Sequence, residues 1–163
     1  MKRVCLNGSI MLVFIVITLI ILSCSKNNED YFCEIAVFPK NRINDSYYYI
    51  LYKDGTLEGM RGKRESDDIN TKPFLVEIDQ YEVIQLTKDE MKNLLDMLKE
   101  IDESGWDEPL YQQYIGGNIT TMKFKGKVYF VNIKSHFHPE VIAPEVFYDF
   151  VNEIGRLSPI YKR

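Results

Sequence analysis

Short stretches in which hydrophobic and polar side chains alternate recur along the chain, and this period of two is typical of strands with one buried face. Two turns, at Asp54-Gly55 and near Lys125-Gly126, each separate a pair of such stretches and predict a hairpin. The residues at 74–78 and 82–86 fit either one strand or two short strands. The predicted strands are residues 33–38, 47–53, 56–61, 74–78, 82–86, 119–124 and 128–133.

Two longer stretches carry hydrophobic residues at spacings of three and four, the period of an amphipathic helix. The first lies at residues 86–101, where Thr87 and Glu90 form a Thr-x-x-Glu capping box. The second is opened by Pro144 and extends to about Leu157. Each helix has one apolar face that must pack against another layer, and we expect that layer to be the sheet.

The order of the predicted elements indicates the fold class. Strands are followed by a helix, a hairpin and a second helix, without alternating βαβ units or an internal repeat. This order predicts an α+β fold, with an antiparallel sheet of about five or six strands covered by two helices. Residues 128–131 are apolar on both faces, which predicts an interior strand. Residues 61–68 are charged and aperiodic, so we expect a loop there.

The chain begins with the three-part layout of a secretory signal peptide. Lys2 and Arg3 give a positive start, residues 10–22 form an apolar run, and small Ser23 precedes Cys24. As a helix this run would span about 20 Å, whereas the hydrocarbon core of a bilayer is about 30 Å thick. We therefore expect a cleaved signal rather than a permanent transmembrane span.

Residues 21–24, Ile-Leu-Ser-Cys, resemble the lipobox of bacterial lipoproteins, although Ile21 replaces the usual leucine. The chain as a whole resembles the short lipoproteins of gut Bacteroidota. The resemblance implies cleavage before Cys24, lipid on that cysteine, and a location in the cell envelope at the outer membrane, either periplasmic or surface-exposed. A plain signal peptide or membrane anchor with an incidental cysteine is the alternative. The expected organisation is a signal peptide at 1–23, a lipidated tether at 24–30 and a single α+β domain at 31–163.

Charge and cysteine content narrow the range of functions. The full chain has a net charge of −4, and loss of residues 1–23 removes two basic residues and no acidic one. A negative domain has no electrostatic reason to bind nucleic acid. Cys33 is the one cysteine left after processing and lipidation, so no intramolecular disulfide can form, and we interpret it as a buried apolar residue. Phosphate loops, dinucleotide fingerprints and Gly-x-Ser-x-Gly elbows are absent from the sequence, and no cofactor is expected.

The two histidines, His136 and His138, are candidate metal ligands. In an extended segment they project to the same side, and Glu140 is a third candidate ligand. Two histidines do not complete a tetrahedral site, so exposed loop histidines are the alternative interpretation. A small metal-assisted or carboxylate hydrolase that uses His136 and His138 is therefore our second hypothesis for function.

Three aromatic residues, Tyr47, Tyr49 and Trp106, are candidate binding residues. Alternation places Tyr47 and Tyr49 on one face of a strand and Tyr48 and Tyr52 on the other, so the outer set would form a flat amphipathic platform for sugar or peptide. The preference of tyrosine for strands explains the same residues. Our first hypothesis is a non-enzymatic binding or accessory module, held at the membrane by its lipid, with an envelope protein or a glycan as partner.

Overall fold

A computed structural model of the chain describes residues 30–106, 118–133, 143–158 and 160, apart from the side chains of 132 and 133. The described residues from Tyr31 onward belong to one compact unit. Its strands are β1 (Tyr31–Pro39), β2 (Ser46–Tyr52), β3 (Thr56–Arg64), β4 (Leu75–Gln85), β5 (Asn118–Phe124) and β6 (Lys127–Ile133). Its helices are α1 (Lys88–Glu103) and α2 (Glu145–Leu157).

The strands form a 6-stranded sheet in the order β4-β3-β2-β1-β5-β6. Every neighbouring pair is antiparallel. The predicted α+β fold, an antiparallel sheet with two helices, is confirmed. Strand β1 has neighbours on both sides and is buried along most of its length, which agrees with its nearly uninterrupted apolar sequence.

Strand β6 is the last strand of the sheet, so the prediction of an interior position for residues 128–131 is wrong. Tyr129 and Val131 are buried in the core beneath the helices. Val128, which alternation directs to the other face, is exposed. The apolar residues on both faces of β6 therefore do not indicate an interior position, since one face packs beneath the helices and the other keeps exposed apolar surface at Val128.

Strand β3 extends to Arg64, so the predicted loop at residues 61–68 begins later than expected. Gly62 and Arg64 are buried within this strand. Its cations all have carboxylate partners: Arg61 and Asp45 at 2.5 Å, Lys63 and Glu77 at 2.8 Å, and Arg64 and Asp67 at 2.6 Å. Because each charge is paired, the charged stretch can continue as a strand. Residues 75–85 form one strand with register shifts opposite this stretch.

Helix α1 begins at the predicted capping box. Oγ1 of Thr87 accepts a hydrogen bond from the Glu90 amide at 3.3 Å, and the Glu90 carboxylate accepts one from the Thr87 amide at 2.9 Å. Both helices contribute to one core with the same face of the sheet, where Cys33 is fully buried, as predicted. This burial raises the pKa of the Cys33 thiol. Neither α1 nor α2 is long and apolar enough to cross a membrane, and no other helix in the described ranges is.

Candidate functional site

The two faces of the sheet differ in what covers them. Cys33, Ile35 and Leu51 point towards α1 and α2 and form the main core with them. On the opposite face, which we call the open face, the described residues place no helix. Part of this face is covered by residues 65–74, which connect β3 to β4 and are called the covering loop.

The cross-strand register arranges the open-face side chains in rows. One row crosses all six strands through Val83, Glu58, Ile50, Glu34, Lys123 and Val128. The adjacent row contains Tyr81, Met60, Tyr48, Ala36, Thr121 and Phe130. Since neighbouring strands lie about 4.8 Å apart, side chains within a row are close enough to interact.

The covering loop is held on the sheet at both of its ends. At one end, Nε of Arg64 donates to the Asp67 carboxylate at 2.7 Å. The Arg64 guanidinium carbon lies 4.5 Å from the centroid of the Phe38 ring. At the other end, the Phe74 ring packs with its centroid 5.8 Å from that of Phe38 and 5.2 Å from that of Tyr48. Aromatic packing and a paired arginine therefore fix a polar loop over a sheet.

A buried carboxylate, Glu34, lies in the middle of the open face and is only 3% exposed. Its Oε1 atom accepts a hydrogen bond from the Tyr48 hydroxyl at 2.5 Å and another from the ammonium of Lys72 in the covering loop. Lys72 also donates to the Tyr48 hydroxyl oxygen at 2.7 Å and lies 5.3 Å from the centroid of the Tyr48 ring. The Lys72 side chain is 51% exposed, so water reaches the cluster from the side of the loop.

The second carboxylate oxygen of Glu34 has a different environment. Oε2 is buried, and no donor in the described part of the chain reaches it. A buried acceptor without a donor costs about 1–3 kcal/mol, and such groups are rare in native proteins. A ligand that brings a donor to this oxygen would remove that cost.

The Tyr48 hydroxyl acts as a donor in this cluster. Burial raises the pKa of Tyr48, and its hydrogen bond to the negative Glu34 carboxylate raises that pKa further. The hydroxyl therefore stays protonated at neutral pH, and its proton remains directed at Oε1 of Glu34.

A second carboxylate, Glu58, orients two tyrosines of the open face. The hydroxyl of Tyr52 donates to it at 3.1 Å and that of Tyr81 at 3.2 Å. Burial, followed by the hydrogen bond to Glu58, raises the pKa of Tyr52 to about 12. Tyr81 is 54% exposed, so its ring offers a flat apolar surface to solvent while its hydroxyl is held.

Exposed apolar side chains continue along β4 on the same face. Ile78, Tyr81 and Val83, which we call the β4 strip, are each about half exposed. Ile50 and Met60 lie beside them on β2 and β3 and are partly buried. Contiguous exposed apolar side chains with polar groups nearby are typical of interaction surfaces.

The predicted binding residues Tyr47, Tyr49 and Trp106 lie on the helix-covered side of the sheet. Tyr49 is buried in the main core, and Tyr47 and Trp106 are partly buried against it. The Trp106 ring centroid lies 5.3 Å from that of Tyr129 and 5.1 Å from that of Phe147. The structure gives all three residues packing contacts, and their role in ligand binding stays a prediction.

Cys24, His136 and His138 lie outside the described residues, so their roles in lipidation and metal binding also stay predictions. Within the described ranges, no group of three or more His, Cys, Asp or Glu side chains is arranged to hold a metal ion.

Glu34 and Lys72 were not among the residues singled out from the sequence. A signal for Glu34 existed, because it is the one charge in the run from Tyr31 to Phe38, and a charge in a doubly covered strand needs a partner. That partner lies 38 residues away in an aperiodic loop, and no local pattern links the two.

No protein-family model and no curated protein matches this chain. The site is therefore interpreted from its own geometry.

Proposed function

We propose that this protein is a lipid-anchored, non-enzymatic binding module of the cell envelope and that its partner occupies the open face of the sheet. The observation that carries the proposal is the buried Oε2 of Glu34, which has no donor among the described residues and lies on the same face as the exposed β4 strip. The resemblance of residues 21–24 to a lipobox supports the anchoring part of the proposal.

The polar groups of the open face favour binding over catalysis. Glu34 is engaged by Tyr48 and Lys72, and Glu58 is engaged by two tyrosine hydroxyls. A general acid or base must be within hydrogen-bond reach of a substrate proton, whereas these carboxylates hold neighbouring side chains in place. The exposed apolar side chains beside them contribute to affinity when a partner covers them, because removal of apolar surface from water is favourable.

The anchoring part is tested by labelling with a radioactive fatty acid in cells that make the protein. We expect Cys24→Ala to abolish labelling and processing, because the sulfur that carries the lipid is gone. Cys5→Ala is the matched control and should be labelled like the wild type, since Cys5 is removed with the signal peptide. Undiminished labelling of the Cys24→Ala variant would disprove the anchor.

The binding part is tested by photo-crosslinking in intact cells. A photoreactive amino acid is placed at Tyr81 or Val83 on the open face and, as the control, at exposed Lys92 on α1. We expect a discrete adduct from positions 81 and 83, none from position 92, and loss of the adduct when Glu34→Gln is added. Adducts at position 92 alone, or adducts that do not depend on Glu34, would contradict a partner on the open face.

A further inference from the structure

We propose that the partner presents a guanidinium group, the side chain of an arginine in a protein segment, to Glu34, and that this group displaces Lys72. The inference rests on the proposed function, because it names the chemistry of the partner that would bind the open face.

Lys72 shows which kind of group the Glu34 cluster accepts. It belongs to the covering loop rather than to the sheet, and its ammonium donates to both Glu34 and Tyr48. Half of the Lys72 side chain already faces water, so its ammonium can move into solvent and regain hydration when another cation takes its place. Lys72 therefore occupies the cluster as an internal cation that can be exchanged.

A guanidinium matches the carboxylate better than the ammonium does. Lys72 and Tyr48 both donate to Oε1 of Glu34, and Oε2 has no donor in the described part of the chain. A guanidinium is planar and offers two parallel N–H donors, which fit the two oxygens of one carboxylate. When a guanidinium replaces the ammonium of Lys72, the negative charge of Glu34 stays compensated. The second N–H of the guanidinium also supplies a donor to Oε2. This added hydrogen bond gives the incoming group its advantage over Lys72.

The surroundings of Glu34 also favour a cation on an apolar peptide. The Tyr48 ring, which already lies beside a cation, can stack with a guanidinium. With Lys72 displaced, the row through Glu34 holds two acids, Glu34 and Glu58, against one base, Lys123. The row through Glu34 ends in Val83, and the adjacent row, which contains Tyr48, ends in Tyr81; both residues belong to the β4 strip. A segment with an arginine next to apolar residues would fill both parts of this surface, and this favours a protein partner over an uncharged glycan.

Calorimetric titration of the full chain in mild detergent tests the inference. The probes are N-acetylarginine amide, its citrulline counterpart, which has nearly the same shape without the charge, and its lysine counterpart. We expect the arginine compound to bind at least about fivefold more tightly than either of the others, since it alone forms two charge-assisted hydrogen bonds.

Two variants separate a binding role from a structural one. Lys72→Ala should tighten binding of the arginine compound several-fold, because the internal competitor is removed. Glu34→Gln should abolish the preference for arginine over citrulline. Lys63→Ala is the matched control: it removes another lysine to carboxylate pair, that with Glu77, and should leave the affinity unchanged.

Equal binding of the arginine and citrulline compounds, a preference for lysine, or weaker binding by the Lys72→Ala variant would overturn the inference. Binding of an uncharged oligosaccharide that is insensitive to Lys72→Ala would overturn it as well. Crosslinks at Tyr81 without an arginine preference would leave the proposed function standing and this inference refuted. An arginine preference without crosslinks at the open face would refute the proposed partner surface. It would leave the inference that Glu34 binds a guanidinium standing.

Discussion

At the scale of single residues, Glu34 is a buried carboxylate with two donors on Oε1 and none among the described residues on Oε2. Glu34→Gln keeps an acceptor for the Tyr48 hydroxyl and removes the buried charge, while half-exposed Lys72 can turn to water. We expect the free energy of unfolding, measured with urea, to rise by about 1 kcal/mol, because the desolvation cost of the buried carboxylate is removed and the remaining charge, on Lys72, is half exposed to water. Glu77→Gln, in an exposed lysine pair, should leave stability unchanged. A decrease of more than about 2 kcal/mol would show that the Glu34 pair stabilises the fold.

Two glycines of β3 differ in what an added methyl group would meet. A Cβ at Gly62 would lie 1.9 Å from the backbone oxygen of Glu77, which cannot move without disturbing β4. A Cβ at Gly59 would meet the ends of the Ser158 and Ile160 side chains at 2.6 Å and 3.0 Å. Flexible side chains can yield, so Gly62→Ala should lower the free energy of unfolding by about 3 kcal/mol and Gly59→Ala by about 1 kcal/mol. Thermal unfolding of the two variants compares them directly, and the reverse order would contradict this account.

At the scale of elements, the start of α1 depends on one side chain. Thr87→Ala removes the oxygen that accepts the Glu90 amide hydrogen bond, and we expect a loss of about 1 kcal/mol in the free energy of unfolding. Thr87→Ser keeps the hydroxyl and should retain most of the stability. Circular dichroism during urea unfolding measures both variants. If Thr87→Ala and Thr87→Ser were equally stable, the hydroxyl at position 87 would contribute nothing to the start of α1.

The elements that the sequence predicted well are those specified by neighbouring residues. The capping box at Thr87, the turn at Asp54-Gly55 and the three- and four-residue spacing of α2 are all local signals, and all correspond to observed structure. The order of the strands in the sheet, by contrast, is not specified by neighbouring residues. The edge position of β6 depends on the pairing of β1 with β5, which are separated by the 78 residues between Pro39 and Asn118, so the apolar pattern of β6 alone suggested the wrong place.

For the molecule as a whole, the candidate site was predictable only in part. Alternation correctly placed Tyr47 and Tyr49 on one face of β2 and Tyr48 and Tyr52 on the other. Which of these faces is covered depends on where α1 and α2 pack, and strand periodicity carries no information about that choice. The cluster of Glu34 with Lys72 also requires the covering loop to fold back over the sheet, an arrangement set by Phe74 and Arg64 rather than by any repeat.

Alkaline pH should destabilise the folded domain as a whole. Tyr52 has a pKa of about 12 in the fold, raised by burial and by Glu58, against about 10 in an unfolded chain. Between these values the unfolded chain loses a proton that the folded chain keeps, so stability is fully present below pH 10 and decreases towards pH 12. Burial also raises the pKa values of Cys33 and Tyr48, which adds to the loss in the same direction.

The measurement is urea unfolding at pH 8, 10 and 11, with Tyr52→Phe as the comparison. We expect the wild-type free energy of unfolding to fall over this interval and the fall to be smaller in Tyr52→Phe, which has no hydroxyl to ionise. Since the hydrogen bond to Glu58 adds to the effect of burial on the pKa of Tyr52, a Glu58→Gln variant should show a smaller fall as well. A wild-type stability that stays constant up to pH 11 would mean that the open-face tyrosines ionise as readily in the fold as in the unfolded chain, which would contradict both their burial and their hydrogen bonds to Glu58 and Glu34.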